Sequence, residues 1–119
     1  MEGLRELGRR GEERAAEYLR RRGYLILERN YQTREGEIDI VAQQGDVLVF
    51  VEVKTARSLS FGHPQGWVSC RKRAHLVRAA LAYMAEIGDL ETNCRFDVIA
   101  IVMSAKKIKL THIPDAFPR

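Results

Sequence analysis

Two runs decide the fold: Gly36-Glu37-Ile38-Asp39-Ile40-Val41-Ala42 and, after Gly45-Asp46, Val47-Leu48-Val49-Phe50-Val51-Glu52-Val53-Lys54-Thr55. Both alternate with period two, and Gly45-Asp46 suits a two-residue hairpin loop that wants glycine at its first position. Such a loop sets Asp39 opposite Glu52 and Glu37 opposite Lys54. Side chains of a strand point to opposite faces in turn, so Glu37 and Asp39 share one face, as do Glu52 and Lys54.

Two carboxylates placed opposite each other repel, and the surrounding Ile, Val and Phe residues imply a mostly dry sheet that increases the penalty. A divalent cation removes the conflict. Hard ions such as Mg²⁺ take one or two carboxylates together with waters and substrate phosphate, and a nearby lysine can stabilise developing charge or orient water. The pattern therefore suits metal-assisted phosphodiester hydrolysis. The plainer alternative is an amphipathic hairpin with a solvated face and a Glu37–Lys54 surface pair. Leu48 and Phe50 count against it, because the face they share with Glu52 and Lys54 is then apolar at one end and ionic at the other.

With 119 residues, 45% of them apolar, the chain suits a single domain spanning 1–119 with a real core. The absence of a bilayer-length apolar run and of a signal-peptide core in Met1-Glu2-Gly3-Leu4-Arg5 leads to the expectation of a cytoplasmic protein with no membrane partner. Cys70 and Cys94 lack metal-type spacing and read as ordinary thiols, which argues against zinc. A net charge of +4 with 20 basic residues is compatible with a polyanionic partner.

Residues 3–22 read as a helix with a stripe of Leu4, Gly8, Gly11, Ala15, Tyr18 and Leu19, closed by Gly23. The two stripe glycines suit a close approach to the sheet, and Glu12 lies at the stripe's edge, either looking toward the site or pairing with Arg9 or Arg5. A first strand is expected at 24–31, with Asn30 fixing the following turn. The loop at 55–68, rich in Ser, Gly and Pro, offers Arg57, His63 and Trp67 for substrate contact. A second helix starts at the N-cap Ser69 and runs to about Glu86, its stripe made of Leu76, Val77, Ala80, Tyr83, Met84 and Ile87. Arg71, Lys72, Arg73, His75 and Arg78 crowd its first turns, where the dipole disfavours cations. A bound phosphate backbone would resolve that, and a solvated basic face is the alternative. Strands at 95–103 and 106–112 follow, with Asp97 as a paired structural charge and 113–119 as a tail.

Gly11-Glu12, Gly23-Tyr24, Asn30, Gly36-Glu37-Ile38-Asp39, Phe50-Val51-Glu52-Val53-Lys54-Thr55, Phe61-Gly62, Lys72-Arg73 and Arg95-Phe96-Asp97 together resemble the YraN-type family of small bacterial proteins. That family is similar to the Holliday junction resolvases and, more distantly, to the restriction-endonuclease-like nucleases with an Asp and Glu-x-Lys motif. The resemblance implies metal ligation by Asp39 and Glu52, catalysis by Lys54, an accessory acid at Glu12 and a further role for Glu37. The chain departs from the family at Ala56, where arginine is frequent and Arg57 stands one place later, and at Cys70, a common proline position.

The expectation is thus an α/β domain of order αβββαββ with a mixed five-stranded sheet and a restriction-endonuclease-like core. Its function would be Mg²⁺- or Mn²⁺-dependent cleavage of structured or branched DNA, with Arg57, Arg71, Lys72 and Arg73 gripping phosphates and a homodimer matching a two-stranded substrate. A non-catalytic nucleic-acid-binding module and an RNA-directed nuclease are the rival readings.

Overall fold

The computed structural model describes residues 3–58 and 68–118. The elements are α1 (Leu4–Arg21), β1 (Leu25–Thr33), β2 (Gly36–Gln44), β3 (Val47–Ala56), α2 (Cys70–Glu86), β4 (Cys94–Met103) and β5 (Ile108–Phe117). This is the αβββαββ order expected from the sequence. The strands form one sheet in chain order, β1-β2-β3-β4-β5. Only β3 and β4 are parallel, and α2 makes the crossover between them that a parallel pair requires.

The helices cover opposite faces. Leu7, Ala15, Ala16 and Leu19 of α1 pack with Ile40, Ala42, Val49, Val51, Val53, Ile99 and Ile101. Leu76, Ala80, Tyr83 and Met84 of α2 pack with Ile38, Val41, Leu48, Phe50, Phe96 and Val98. Glu52 follows the parity of Leu48 and Phe50 and so belongs to the α2 face.

Gly11 is where α1 meets the sheet most closely: a Cβ there would overlap the Thr55 side chain. Gly11→Ala is therefore expected to lower stability by about 1–3 kcal/mol despite alanine's better helix propensity. Urea melts check this, and Thr55→Ala in the same chain should recover part of the loss. Gly8 differs from the expectation, since a Cβ there meets nothing within 4 Å, and Leu4 is 77% exposed because the helix contacts the sheet only from Leu7 onward. Gly23 ends α1 at φ +86, with Tyr24 N–H donating to Leu19 O, the hydrogen bond of a Schellman cap. Ile87, expected in the α2 stripe, is half exposed because it caps the helix beyond the last buried turn.

The expected tail is instead strand. β5 continues to Phe117, whose ring stacks on Phe96 at 5.1 Å and is buried. Pro114 argues against a strand at this point, but the ladder slips between Phe96 and Val98, and Asp115 takes φ +51. Asp97 sits at that slip, fully buried on the α1 side, and receives Arg95 Nε at 2.9 Å and the Asp115 backbone N–H at 3.0 Å. His112 Nε2 lies 2.7 Å from its other oxygen, and His112 Nδ1 lies 3.1 Å from the Tyr18 hydroxyl of α1. Burial alone would raise the Asp97 pKa, but the hydrogen bonds from His112, Arg95 and the Asp115 amide hold it below the usual carboxylate range.

Candidate functional site

The hairpin has the expected register, from Gln44 opposite Val47 to Ile40 opposite Val51, and Gly45 takes φ +60 as its turn demands. One step further, at Asp39, the ladder stops. The Asp39 carboxylate accepts the Val53 backbone N–H at 2.8 Å, so a side chain occupies the place of the next ladder acceptor. Alternation in β2 also breaks there: Ile38 and Val41 pack toward α2, while Ile40 packs toward α1. Asp39 consequently lies in the split between β2 and β3.

On its other side stands Asn30. Arg29 pairs with Ile40 and Tyr31 with Ile38, which sets Asn30 across from Asp39. Asn30 has φ +52, a left-handed conformation that asparagine tolerates better than most residues; it sits inside the first strand, as expected, but the following turn is held by the Thr33 hydroxyl rather than by Asn30. With its amide nitrogen facing the acids, Asn30 donates to Glu12 Oε1 at 2.8 Å and to Glu37 Oε1 at 3.0 Å. Burial, followed by the neighbouring charges of Asp39 and Glu37, raises the Glu12 pKa. Glu12 therefore looks toward the acidic row.

Glu52 is 2% exposed. Desolvation first, then a hydrogen bond to Asp39 and its negative charge, push the Glu52 carboxyl up to about 8, against the opposing pull of Lys72 and Lys54. Lys72 Nζ stands 3.3 Å and Lys54 Nζ 3.9 Å from Glu52 Oε2. Both amines come from the solvent side, each lysine side chain being about 40% exposed.

The expected Glu37–Lys54 pairing is not formed, because the split at Asp39 ends the β2–β3 ladder first. Glu37 pairs with Gln32 on β1 and joins Glu12 through Asn30. The basic start of α2 is also divided differently from the expectation. Ser69 caps the helix by accepting Lys72 N–H at 3.1 Å, and the Lys72 side chain reaches an internal carboxylate. Arg73 donates to Val68 O at 3.2 Å and lies over the Phe117 ring at 5.5 Å, so it anchors β5. Arg78 pairs with Glu35 at 3.0 Å, and His75 Nδ1 lies 2.9 Å from Glu35 O. Arg71 and Arg57 are exposed, Arg57 just past the end of β3. His63 and Trp67 lie outside the described residues.

Among the described residues no group of three or more His, Cys, Asp or Glu side chains converges as a metal cage. Two carboxylates suit Mg²⁺ or Mn²⁺, which keep waters and take phosphate oxygens, better than they suit a structural zinc site. Asp39 and Glu52 are the residues that would hold such an ion. No described helix is long and apolar enough to cross a membrane.

Proteins similar to this chain match over nearly all of it. A protein of Syntrophomonas wolfei is 49% identical over 113 residues, 95% of this chain and 98% of its own length. One from Christiangramia forsetii is 46% identical over 112 residues, covering 94% and 93% of the two chains, and one from Geobacter sulfurreducens is 49% identical over 112 residues, covering 93% and 88%. Each is named a UPF0102 protein. Residues 11–101, which run from the α1 glycine under Thr55 through Asn30, Asp39, Glu52 and Lys72 into β4, match the model of "Uncharacterised protein family UPF0102", and the chain belongs to that family.

Proposed function

We propose that this protein is a metal-dependent endonuclease acting on structured or branched DNA, related in chemistry to the Holliday junction resolvases and built on a restriction-endonuclease-like core. The observation that carries the reading is the pairing of half-buried Asp39 with buried Glu52 at the β2–β3 split, with two lysine amines beside Glu52. A bound Mg²⁺ or Mn²⁺ would supply Lewis acidity toward a phosphodiester and a water of lowered pKa.

The chain's own groups divide the remaining work. The Val53 N–H fixes one Asp39 oxygen and so orients the other. Lys54, partly exposed beside Glu52, is placed to orient the attacking water and to donate to a phosphate oxygen. Lys72 holds Glu52 from the α2 side, a positioning role rather than the phosphate grip its place in the sequence suggests. Glu12, its pKa raised, is an accessory acid suited to holding a proton at the edge of the site. Glu37 acts through Asn30 and Glu12. Arg71 and Arg57 extend the surface toward backbone phosphates.

A binding module without cleavage is the rival, favoured by the Lys72–Glu52 ion pair, which already neutralises one acid without a metal. To separate them, four-way junctions, flaps and RNA hairpins are incubated with the chain and Mg²⁺ or Mn²⁺ beside Asp39→Asn and Lys54→Ala. Both substitutions are expected to reduce cleavage by roughly 100-fold or more. Equal product from wild type and both variants would mean a contaminating nuclease and would remove the proposal. Preference for RNA hairpins would redirect it. The reading extends to a homodimer, since a four-way junction presents two related strands to a symmetric pair, and sedimentation of the purified chain decides that point.

A further inference from the structure

A cleft of about 790 Å³ opens where α1 crosses the carboxyl ends of the parallel strands β3 and β4. Its lining includes Arg10 and Arg14 of α1, Arg57 just after β3, and Lys106 and Lys107 of the β4–β5 turn. Among the described residues no Asp or Glu lines it. Arg10 and Arg14 stand four residues apart on one helix face, and with the adjacent lysines they give the cleft a cationic lining that suits a polyanion. In open α/β sheets, ligands gather outside the carboxyl ends of the strands, and the cleft is at that end.

Its position relative to the acidic site is the second observation. Gly11, flanked by the cleft-lining Arg10 and the acid Glu12, packs directly on Thr55, so one turn of α1 looks into the cleft on one side and toward Asp39 on the other. Arg57 follows Lys54 by three residues, a separation of about 10 Å along an extended chain. A short run of phosphates on one strand spans that distance, so one strand can reach both places.

We infer that this cleft is a second backbone-phosphate site, which holds the nucleic-acid strand a few nucleotides from the phosphodiester presented to Asp39 and Glu52. It rests on the proposed function for the identity of the polyanion. Its contacts would be to phosphates and therefore indifferent to sequence.

The test is equilibrium binding of a fluorescent four-way junction to the full chain carrying Glu52→Gln, without divalent metal, from 50 to 300 mM salt. Arg10→Ala with Arg14→Ala, and separately Lys106→Ala with Lys107→Ala, are each expected to flatten the log–log salt slope by roughly 1.5, at 0.7–0.9 per lost contact. The lysine pair is the variant least able to disturb the fold, because Lys107 holds its turn through backbone groups, its N–H and C=O both bonded to Ser104. Arg20→Ala with Arg21→Ala removes equal charge elsewhere on α1 and should leave the slope near the parent value. An unchanged slope in the cleft variants, or an equal fall in the Arg20/Arg21 control, would overturn the site. Because this readout involves no cleavage, it can fail while Asp39→Asn still abolishes hydrolysis, and it can succeed on a chain that never cleaves.

Discussion

Glu52→Gln is expected to reduce metal-dependent cleavage by roughly 100-fold or more while making the metal-free protein harder to unfold at alkaline pH. The loss would follow from removing one of the two proposed anionic ligands. The gain follows from burial, since Glu52 is 2% exposed and its pKa stands near 8 rather than at the ordinary carboxylate value. A group whose folded pKa is raised contributes stability below its unfolded pKa and loses it as pH rises through the folded one. Wild type and Glu52→Gln should therefore melt alike near pH 4, where the acid is neutral, diverge as pH climbs, and differ by a few kcal/mol above about pH 8. Added Mg²⁺ or Mn²⁺ should raise the wild-type melting temperature at pH 8 and leave the variant nearly unmoved. Calorimetry at three pH values with and without metal reads all of this. A variant no more stable than wild type at pH 9 would mean that the lysines, not burial, dominate the site.

The second large effect is on folding alone. Asp97→Asn should cost about 3–5 kcal/mol near neutral pH, because it leaves Arg95 and His112 without the carboxylate they converge on in the interior. Here the sign is opposite: the folded pKa is depressed, so the carboxylate stabilises above its unfolded value and the contribution fades as pH falls through the folded one. The gap between wild type and Asp97→Asn should thus be widest above pH 5 and close in acid, as denaturant midpoints from pH 2 to 7 would show. Tyr18→Phe removes only the outermost hydrogen bond of this network, to His112, and is expected to cost about 1 kcal/mol.

The hairpin was readable between Ile40 and Val51 because its signals there are local: alternation fixes which face each side chain takes, and Gly45-Asp46 fixes the register. What lay beyond it depended on distant chain segments. Lys72 is twenty residues from Glu52, and the sequence leaves the cations at the start of α2 either to a phosphate or to solvent, whereas the anion beside Lys72 is Glu52 itself. The anomaly was the right signal, but no pattern says which anion a crossover will bring beside a helix. Asn30 had its own clue, a residue tolerant of positive φ between strand residues, which reads equally well as a turn. The end of the last strand, beyond residue 112, was hidden by Pro114, whose missing donor is accommodated only because the ladder slips beside it. Nothing in α1 alone reveals that Lys106 and Lys107 return to the corner occupied by Arg10 and Arg14.

The row Asn30, Asp39 and Glu52 takes one residue from each of three strands, and its lysine clamp comes from a helix that must first complete a crossover. A chain emerging unfinished, or one whose first hairpin has slipped by a single position, contains every one of these residues and none of their convergence. The proposed hydrolytic capacity would then begin only with the final architecture and be absent from immature or damaged copies.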